Sequence, residues 1–277
     1  MNDDQTLVLH PEIQQLTEEN DLLREEFASL LTEAEHLIHT VKPNLLALYQ
    51  TKIGMWELRL LQAQFKVARL RRQIELAQTY INRGEQPDLA AIECAIETEF
   101  LAWVTKLEEA ARRLQDAENR LKYLLSPEDD RELKKLYYAI VKRLHPDVNP
   151  KVTADQRRLW LRAQAAYEHG DLLELRALAL LVEKNAPVPP TKSLDNLRRD
   201  QRILEEQIAV ALETLERIES QPPFTLQPQL DDEAWLAARR KDIDEQTVTL
   251  HRQGEALKNH WEKLLGDAGY GTTFSQN

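Results

Sequence analysis

Apolar side chains recur at alternating spacings of three and four residues along most of this 277-residue chain. Such a stripe lies on one face of an α-helix, and over many turns it predicts long helices that pack side by side. Leu, Ala, Glu, Arg and Gln dominate, whereas glycine occurs seven times and phenylalanine five times, as is typical of helices rather than sheets. The sequence therefore predicts an all-α protein built on long antiparallel coiled-coil helices.

The first of these apolar stripes, which we call seams, begins after an N-terminal tail. We predict disorder over residues 1–10 and an N-terminal helical, coiled-coil domain over residues 11–119. Its first seam runs over residues 13–41 and carries Asn20 among apolar positions, where a polar residue usually fixes the register of a helix pair. Pro43 then marks either a kink or the first turn of a new helix.

Two further seams follow, over residues 46–81 and 89–125. Between them, Gly84 suits a helix C-terminus and Asp88 suits the next N-cap. Because this turn is short, the two helices are predicted to form an antiparallel hairpin.

The C-terminal part has its own break and seams. Residues 185–192 are rich in proline and predict an extended linker. Ser193 is a candidate N-cap, and the seams over residues 193–265 predict a second antiparallel coiled-coil hairpin. Residues 266–277 are expected to form a flexible tail.

Charge and cysteine content exclude several function classes. The net charge of −11 disfavours nonspecific binding to nucleic acid or to anionic membranes. An arginine cluster near residues 69–83 lacks the interleaved aromatic residues of a nucleic-acid surface. The chain shows no apolar membrane span and no secretory signal. Its single cysteine, Cys94, excludes a disulfide framework, so we expect a cytoplasmic protein.

No arrangement typical of an enzyme is present. His36 and His39 lie three residues apart, but no third metal ligand stands at a suitable spacing. Gly-rich phosphate loops, nucleophile elbows and zinc-protease motifs are absent. We therefore predict no catalytic residue, no metal and no cofactor.

The most distinctive stretch is a basic amphipathic helix, then His145-Pro146-Asp147, then a second amphipathic helix. Proline has no N–H and disfavours helical geometry in the residue before it, so the first helix should end here. Residues 131–151 hold six basic and two acidic side chains, a reversal of the overall charge. The predicted apolar faces comprise Leu133, Leu136, Tyr137, Ile140, Val141, Leu144, Leu159, Trp160, Ala163, Ala166 and Tyr167.

This stretch resembles the J-domain of DnaJ-type co-chaperones, whose signature is a His-Pro-Asp loop between a basic helix and an antiparallel helix. The resemblance covers residues 120–184, a J-domain-like helical hairpin at the centre of the predicted fold. It rests on the tripeptide, the basic helix, Asn149-Pro150 and the Ala-Tyr-Glu ending at Glu168. The plainer interpretation is that Pro146 merely ends a helix whose carbonyls His145 caps.

The resemblance implies docking on a DnaK-type ATPase of the heat-shock seventy class and stimulation of its ATP hydrolysis. Asp147 would pair with an arginine of that ATPase, and the basic side chains would steer the helix onto an acidic surface. The coiled coils would recruit a client or adaptor, or a second copy of the chain in a homodimer. The implied partner-binding residues are His145, Pro146, Asp147, Lys134, Lys135, Lys142, Arg143 and Asn149.

The sequence departs from the family in three ways, and the last two favour an alternative, a structural coiled-coil scaffold with a degenerate, inactive J fold. The separate first helix is missing, and we expect Leu121, Leu124 and Leu125 at the end of the third helix to replace it. The basic motif of the fourth helix is replaced by an apolar helix after Gly170. Tyr138 stands where the family commonly has arginine.

Overall fold

The computed structural model describes residues 11–184 and 193–269, and all regular secondary structure in these ranges is helical. The predicted all-α class is therefore confirmed. The predicted disorder over residues 1–10 and the linker over residues 185–192 fall outside the described residues. No helix in the described ranges has the length and apolarity that a bilayer span requires.

The helices, in chain order, are α1 Pro11–His36, α2 Lys42–Tyr49, α3 Met55–Asn82, α4 Leu89–Glu99, α5 Leu101–Lys122, α6 Pro127–Leu144, α7 Ala154–Glu168, α8 Leu172–Lys184, α9 Leu194–Glu219, α10 Gln227–Leu230 and α11 Glu233–Asp267. Two π-helical turns, Leu37–Val41 and Gln50–Gly54, flank α2. Pro43 is the second residue of α2 and lies two residues after the end of the first of these turns, whose altered hydrogen bonding suits a residue without an N–H.

The chain folds into two compact units, each assembled from segments that are distant in sequence. The first contains residues 11–45, 123–184 and 193–226, and the second contains residues 46–122 and 227–269. This division differs from the predicted order, in which consecutive stretches form consecutive domains. The spacing of apolar residues shows which face of a helix is buried, but several helices offer a similar face as a partner.

In the first unit, α1 packs against both α9 and α6. The seam residue Asn20 is fully buried, and its Nδ2 donates to the carbonyl of Leu197 at 2.9 Å. The predicted polar position therefore lies at a helix–helix contact, but its partner is α9. The sequence had predicted that residues 193–219 would pair with the last helix.

In the second unit, α11 packs along α3. The Arg240 guanidinium lies 4.9 Å from the Trp56 ring centroid, and further along, Leu264 and Ala77 share one apolar cluster. Contacts therefore advance in the same chain direction on both helices, which makes the pair parallel. The sequence had predicted α9 as the antiparallel partner of α11, because these two helices are neighbours in the sequence.

The turn between α3 and α4 agrees with the sequence, whereas the helix that follows is not continuous. Gly84 adopts φ +71°, and the Asp88 carboxylate accepts from the Ala91 N–H at 3.0 Å. The predicted third helix is interrupted at Phe100, with φ −96° and ψ 4°. The break lies one turn after Ile96. Around Ile96 the apolar residues follow each other at two successive spacings of four, instead of alternating threes and fours.

Candidate functional site

The hairpin of α6 and α7 carries the His-Pro-Asp tripeptide, and local sequence determines where α6 begins and ends. The Ser126 hydroxyl accepts from the Asp129 N–H at 3.1 Å, one residue before Pro127 at the first helical position. Acidic residues fill the first turn and basic residues the last, which complements the helix dipole. His145 is the C-cap and Pro146 prevents further helix.

Hydrogen bonds within residues 145–149 hold the tip of the hairpin. The Asn149 side-chain amide donates to the Lys142 carbonyl at 2.7 Å, and its backbone N–H donates to the His145 carbonyl at 2.8 Å. The Asp147 N–H donates to His145 Nδ1 at 3.1 Å. Asn149, predicted as a partner-binding residue, therefore uses its amide group to stabilise the end of α6.

His145 is half-buried against an aromatic side chain. Its ring meets Trp160 edge-on, with the ring centroids 4.8 Å apart. Burial lowers the pKa of His145, although the neighbouring Asp147 carboxylate acts in the opposite direction. Because Nδ1 accepts a hydrogen bond, the neutral ring carries its proton on Nε2. The Nε2–H edge is thus the remaining donor of this ring.

Asp147 is the exposed member of the tripeptide. Pro146 is half-buried, and Val148 is buried. Among the described residues, nothing forms a hydrogen bond or ion pair with the Asp147 carboxylate at the tip. The structure thus presents an exposed carboxylate on a short loop between α6 and α7.

A row of stacked aromatic rings connects the tip to the other end of the hairpin, which we call the base. Tyr137 stacks on Trp160 at 5.7 Å and on Tyr167 at 3.9 Å between ring centroids. At the base, the Tyr167 hydroxyl lies 3.1 Å from His36 Nδ1. The predicted scaffold residues are all buried: Leu133, Tyr137, Ile140, Leu144, Trp160 and Tyr167.

Two of the four cations predicted to meet a partner contact this chain instead. Lys134 forms an ion pair with Glu33 of α1. Lys142 forms an ion pair with Glu25 of the same helix. All four side chains stay partly exposed, between 35% and 46%. The sequence did not predict this pairing, although each pair of like charges is eight residues apart.

The other two predicted cations differ from each other. Lys135 is exposed on α6. Arg143 Nη1 donates to the Val182 carbonyl of α8 at 3.4 Å. Arg131 and Lys142 are exposed as well. Their spacing of four and seven residues from Lys135 places all three side chains on one side of the helix, which we call its outer face.

Helices α1 and α8 both pack on the hairpin, whereas the sequence had predicted Leu121, Leu124 and Leu125 in the role of the first helix. Leu124 is 46% exposed and Leu125 is 37% exposed, while Leu121 belongs to the other unit. Phe27 and Ala28 of α1 are buried in the same core cluster as α6, α7 and α8. Leu23, Leu30 and Leu31 of α1 also pack against this cluster.

His36 anchors the end of α1 at the base of the hairpin. Its Nε2 lies 3.8 Å from the Asp130 carboxylate. Burial and then Lys134 lower the pKa of His36, and Asp130 and Glu33 oppose this shift. The sequence presented His36 only as a weak metal candidate, so this contact was missed.

A metal centre is not formed by the described part of the chain, where no three His, Cys, Asp or Glu side chains converge. His39 instead lies 3.0 Å from the Glu35 carboxylate on the same helix. The site is therefore a surface with the exposed Asp147 carboxylate and several cations. Neither family models, nor curated proteins, nor solved structures give a match to this chain.

Proposed function

We propose that this chain is a co-chaperone of the J-domain type, which docks on a DnaK-type ATPase and stimulates its ATP hydrolysis. The observation that carries the proposal is the exposed Asp147 carboxylate on a tip that Pro146 and the His145 hydrogen bond keep in place. A fixed carboxylate is suited to accept a bidentate arginine from a partner. Because the loop is already ordered, docking costs little conformational entropy.

The outer face of α6 supplies the second part of the docking surface. Arg131, Lys135 and Lys142 are exposed there, on a chain whose net charge is −11. A local basic face on an acidic protein attracts an acidic partner surface, raises the encounter rate and sets the orientation. The expected partner is thus an acidic ATPase surface that offers an arginine beside it.

The chain itself supplies no reacting group in this mechanism. Stimulation requires that docking favour the hydrolysing conformation of the ATPase over its other conformations. Asp147 contributes through differential contact with that conformation, and His145 and Asn149 position the loop. A cytoplasmic location and recruitment of a client or adaptor by the long helices belong to the same proposal.

The test is a single-turnover ATPase assay with a DnaK-type protein of the same organism. We expect stimulation by the wild-type chain and its loss, by at least about tenfold, in Asp147→Asn, because the arginine contact is charge-assisted. The matched control is Asp155→Asn, which removes an exposed carboxylate from the first turn of α7 and should keep full stimulation. Equal stimulation by wild type and Asp147→Asn would contradict the proposal.

One observation favours a second candidate, a structural scaffold with an inactive hairpin of the same shape. Lys134 and Lys142 form ion pairs within the chain, as in a helical protein that uses its charges for internal pairing. A scaffold predicts no stimulation of any DnaK-type ATPase by the wild-type chain. The same assay therefore separates the two candidates.

A further inference from the structure

Two carboxylates of α1 are matched in spacing to two cations of α6. Glu25 pairs with Lys142, and Glu33 pairs with Lys134. As the residue number rises on α1 it falls on α6, so the two helices are antiparallel at this contact. Eight residues of α-helix span about 12 Å. Helix α6 is thus already paired, within this chain, with two carboxylates of α1 at a defined spacing.

Apolar packing keeps these carboxylates in place. Phe27 is 3% exposed and Ala28 is fully buried, and both lie in the core cluster with α6, α7 and α8. Detaching α1 would expose this core, so we expect α1 to stay docked while its carboxylates exchange partners. The pairs are exposed enough for such exchange, since Glu25 is 46% and Lys142 is 42% exposed.

We propose that Glu25 and Glu33 compete with the docking partner for Lys142 and Lys134 and thereby weaken docking. This inference rests on the proposed function and deepens it by naming the regulation of the same surface. A partner must supply its own carboxylates, about 12 Å apart along a helix or an equivalent surface, to replace those of α1. Arg131 and Lys135 do not share this contact, and they attract the partner first.

The size of the competition is limited because exposed ion pairs are individually weak. Removing both carboxylates should therefore tighten docking by about three- to tenfold without creating a new contact. The tip is not altered, so the maximal stimulation of the ATPase should stay the same. Only the concentration that gives half-maximal stimulation should fall.

The experiment compares the full-length wild-type chain with Glu25→Gln/Glu33→Gln in the ATPase titration. The control is Glu18→Gln/Glu26→Gln, which removes the same charge from exposed positions of α1 and should leave half-maximal stimulation within about twofold of wild type. Thermal unfolding of each variant reports whether α1 remains docked. We expect the first variant to need about three- to tenfold less protein and the second to match wild type.

A partner-independent readout is the rate at which an amine-selective acylating reagent modifies each lysine, followed by mass spectrometry. Lys134 and Lys142 should react faster in Glu25→Gln/Glu33→Gln, and Lys135 should not change. An unchanged half-maximal concentration in a chain that does stimulate the ATPase would contradict the competition alone. Absence of stimulation by wild type and by both variants would overturn the proposed function, and the competition with it.

Discussion

The two ends of the α6–α7 hairpin each place a histidine beside an aspartate, and they use the pair in opposite ways. At the tip, His145 is half-buried and Asp147 is exposed. At the base, His36 lies 3.8 Å from Asp130, whose Oδ1 is buried and has no hydrogen-bond partner among the described residues. The tip therefore presents its carboxylate to solvent, while the base buries one carboxylate oxygen of a side chain that is 30% exposed.

Because both ends contain the same two residue types, their surroundings decide whether the aspartate faces solvent or contacts another helix. The base joins three helices, because His36 ends α1, Asp130 lies in α6 and Tyr167 lies in α7. At the tip, His145 ends α6 and its ring contacts Trp160 of α7, and Pro146 stops the helix before the exposed Asp147. The aromatic row of Trp160, Tyr137 and Tyr167 is common to both ends.

The largest expected effect follows from removing the ring that supports the tip. Trp160 is 5% exposed and contacts both His145 and Tyr137. Trp160→Ala should lower the free energy of unfolding by about 3–5 kcal/mol, because it leaves a cavity in the row. Urea unfolding followed by circular dichroism measures this change.

The neighbouring Leu161 provides the control for that prediction. It is 60% exposed on α7, so Leu161→Ala should change stability by no more than about 0.5 kcal/mol. Similar losses for the two variants would show that the aromatic row does not support the hairpin.

The two stacked tyrosines allow a finer test of the base. The Tyr167 hydroxyl lies 3.1 Å from His36 Nδ1, whereas the Tyr137 hydroxyl is buried without a partner among the described residues. Tyr167→Phe should therefore cost about 1 kcal/mol, the net value of one hydrogen bond. Tyr137→Phe should be neutral or stabilising by up to about 1 kcal/mol, since it removes an unsatisfied buried group.

Calorimetric unfolding of both tyrosine variants measures these differences. Each variant serves as the control for the other, because both keep the stacked ring and lose one hydroxyl. A larger loss in Tyr137→Phe than in Tyr167→Phe would contradict the assignment of the base contact.

The smallest expected effect is a dependence of stability on pH. Burial lowers the pKa of His36 and of His145 from the ordinary value of 6.5. Below pH 6.5 the unfolded chain therefore binds more protons than the folded chain, so stability should fall as the pH decreases. The loss should begin near pH 6.5 and continue until the pH is below the pKa values of the folded state.

The comparison of the two ends predicts which histidine dominates this pH dependence. Protonated His145 can be accommodated by local opening of the exposed tip, whereas His36 is enclosed by three helices. His36→Gln should therefore flatten the pH profile of the unfolding free energy more than His145→Gln. Urea unfolding at a series of pH values measures the unfolding free energy of each variant. A flatter pH profile in His145→Gln than in His36→Gln would contradict this ranking.

Much of the local structure of the hairpin was predictable from the sequence. Tyr137, Trp160 and Tyr167 lie on helical faces whose spacing predicts burial, and all three are buried. Pro146 predicts the end of α6 because its effect on the backbone is local. The contacts of Glu25, Glu33 and His36 could not be predicted this way, because they join residues about one hundred positions apart.

Local sequence signals predict the helical class, the buried helix faces, the turn of the hairpin and the position of Asp147 after a proline. The assembled helices alone show that α1 packs on α6 and α9, that α11 runs parallel to α3 and that two of the four cations are paired internally. The reason is physical: propensity, capping and proline sterics act over a few residues. The choice of partner among similar apolar seams depends on the summed packing of whole helices.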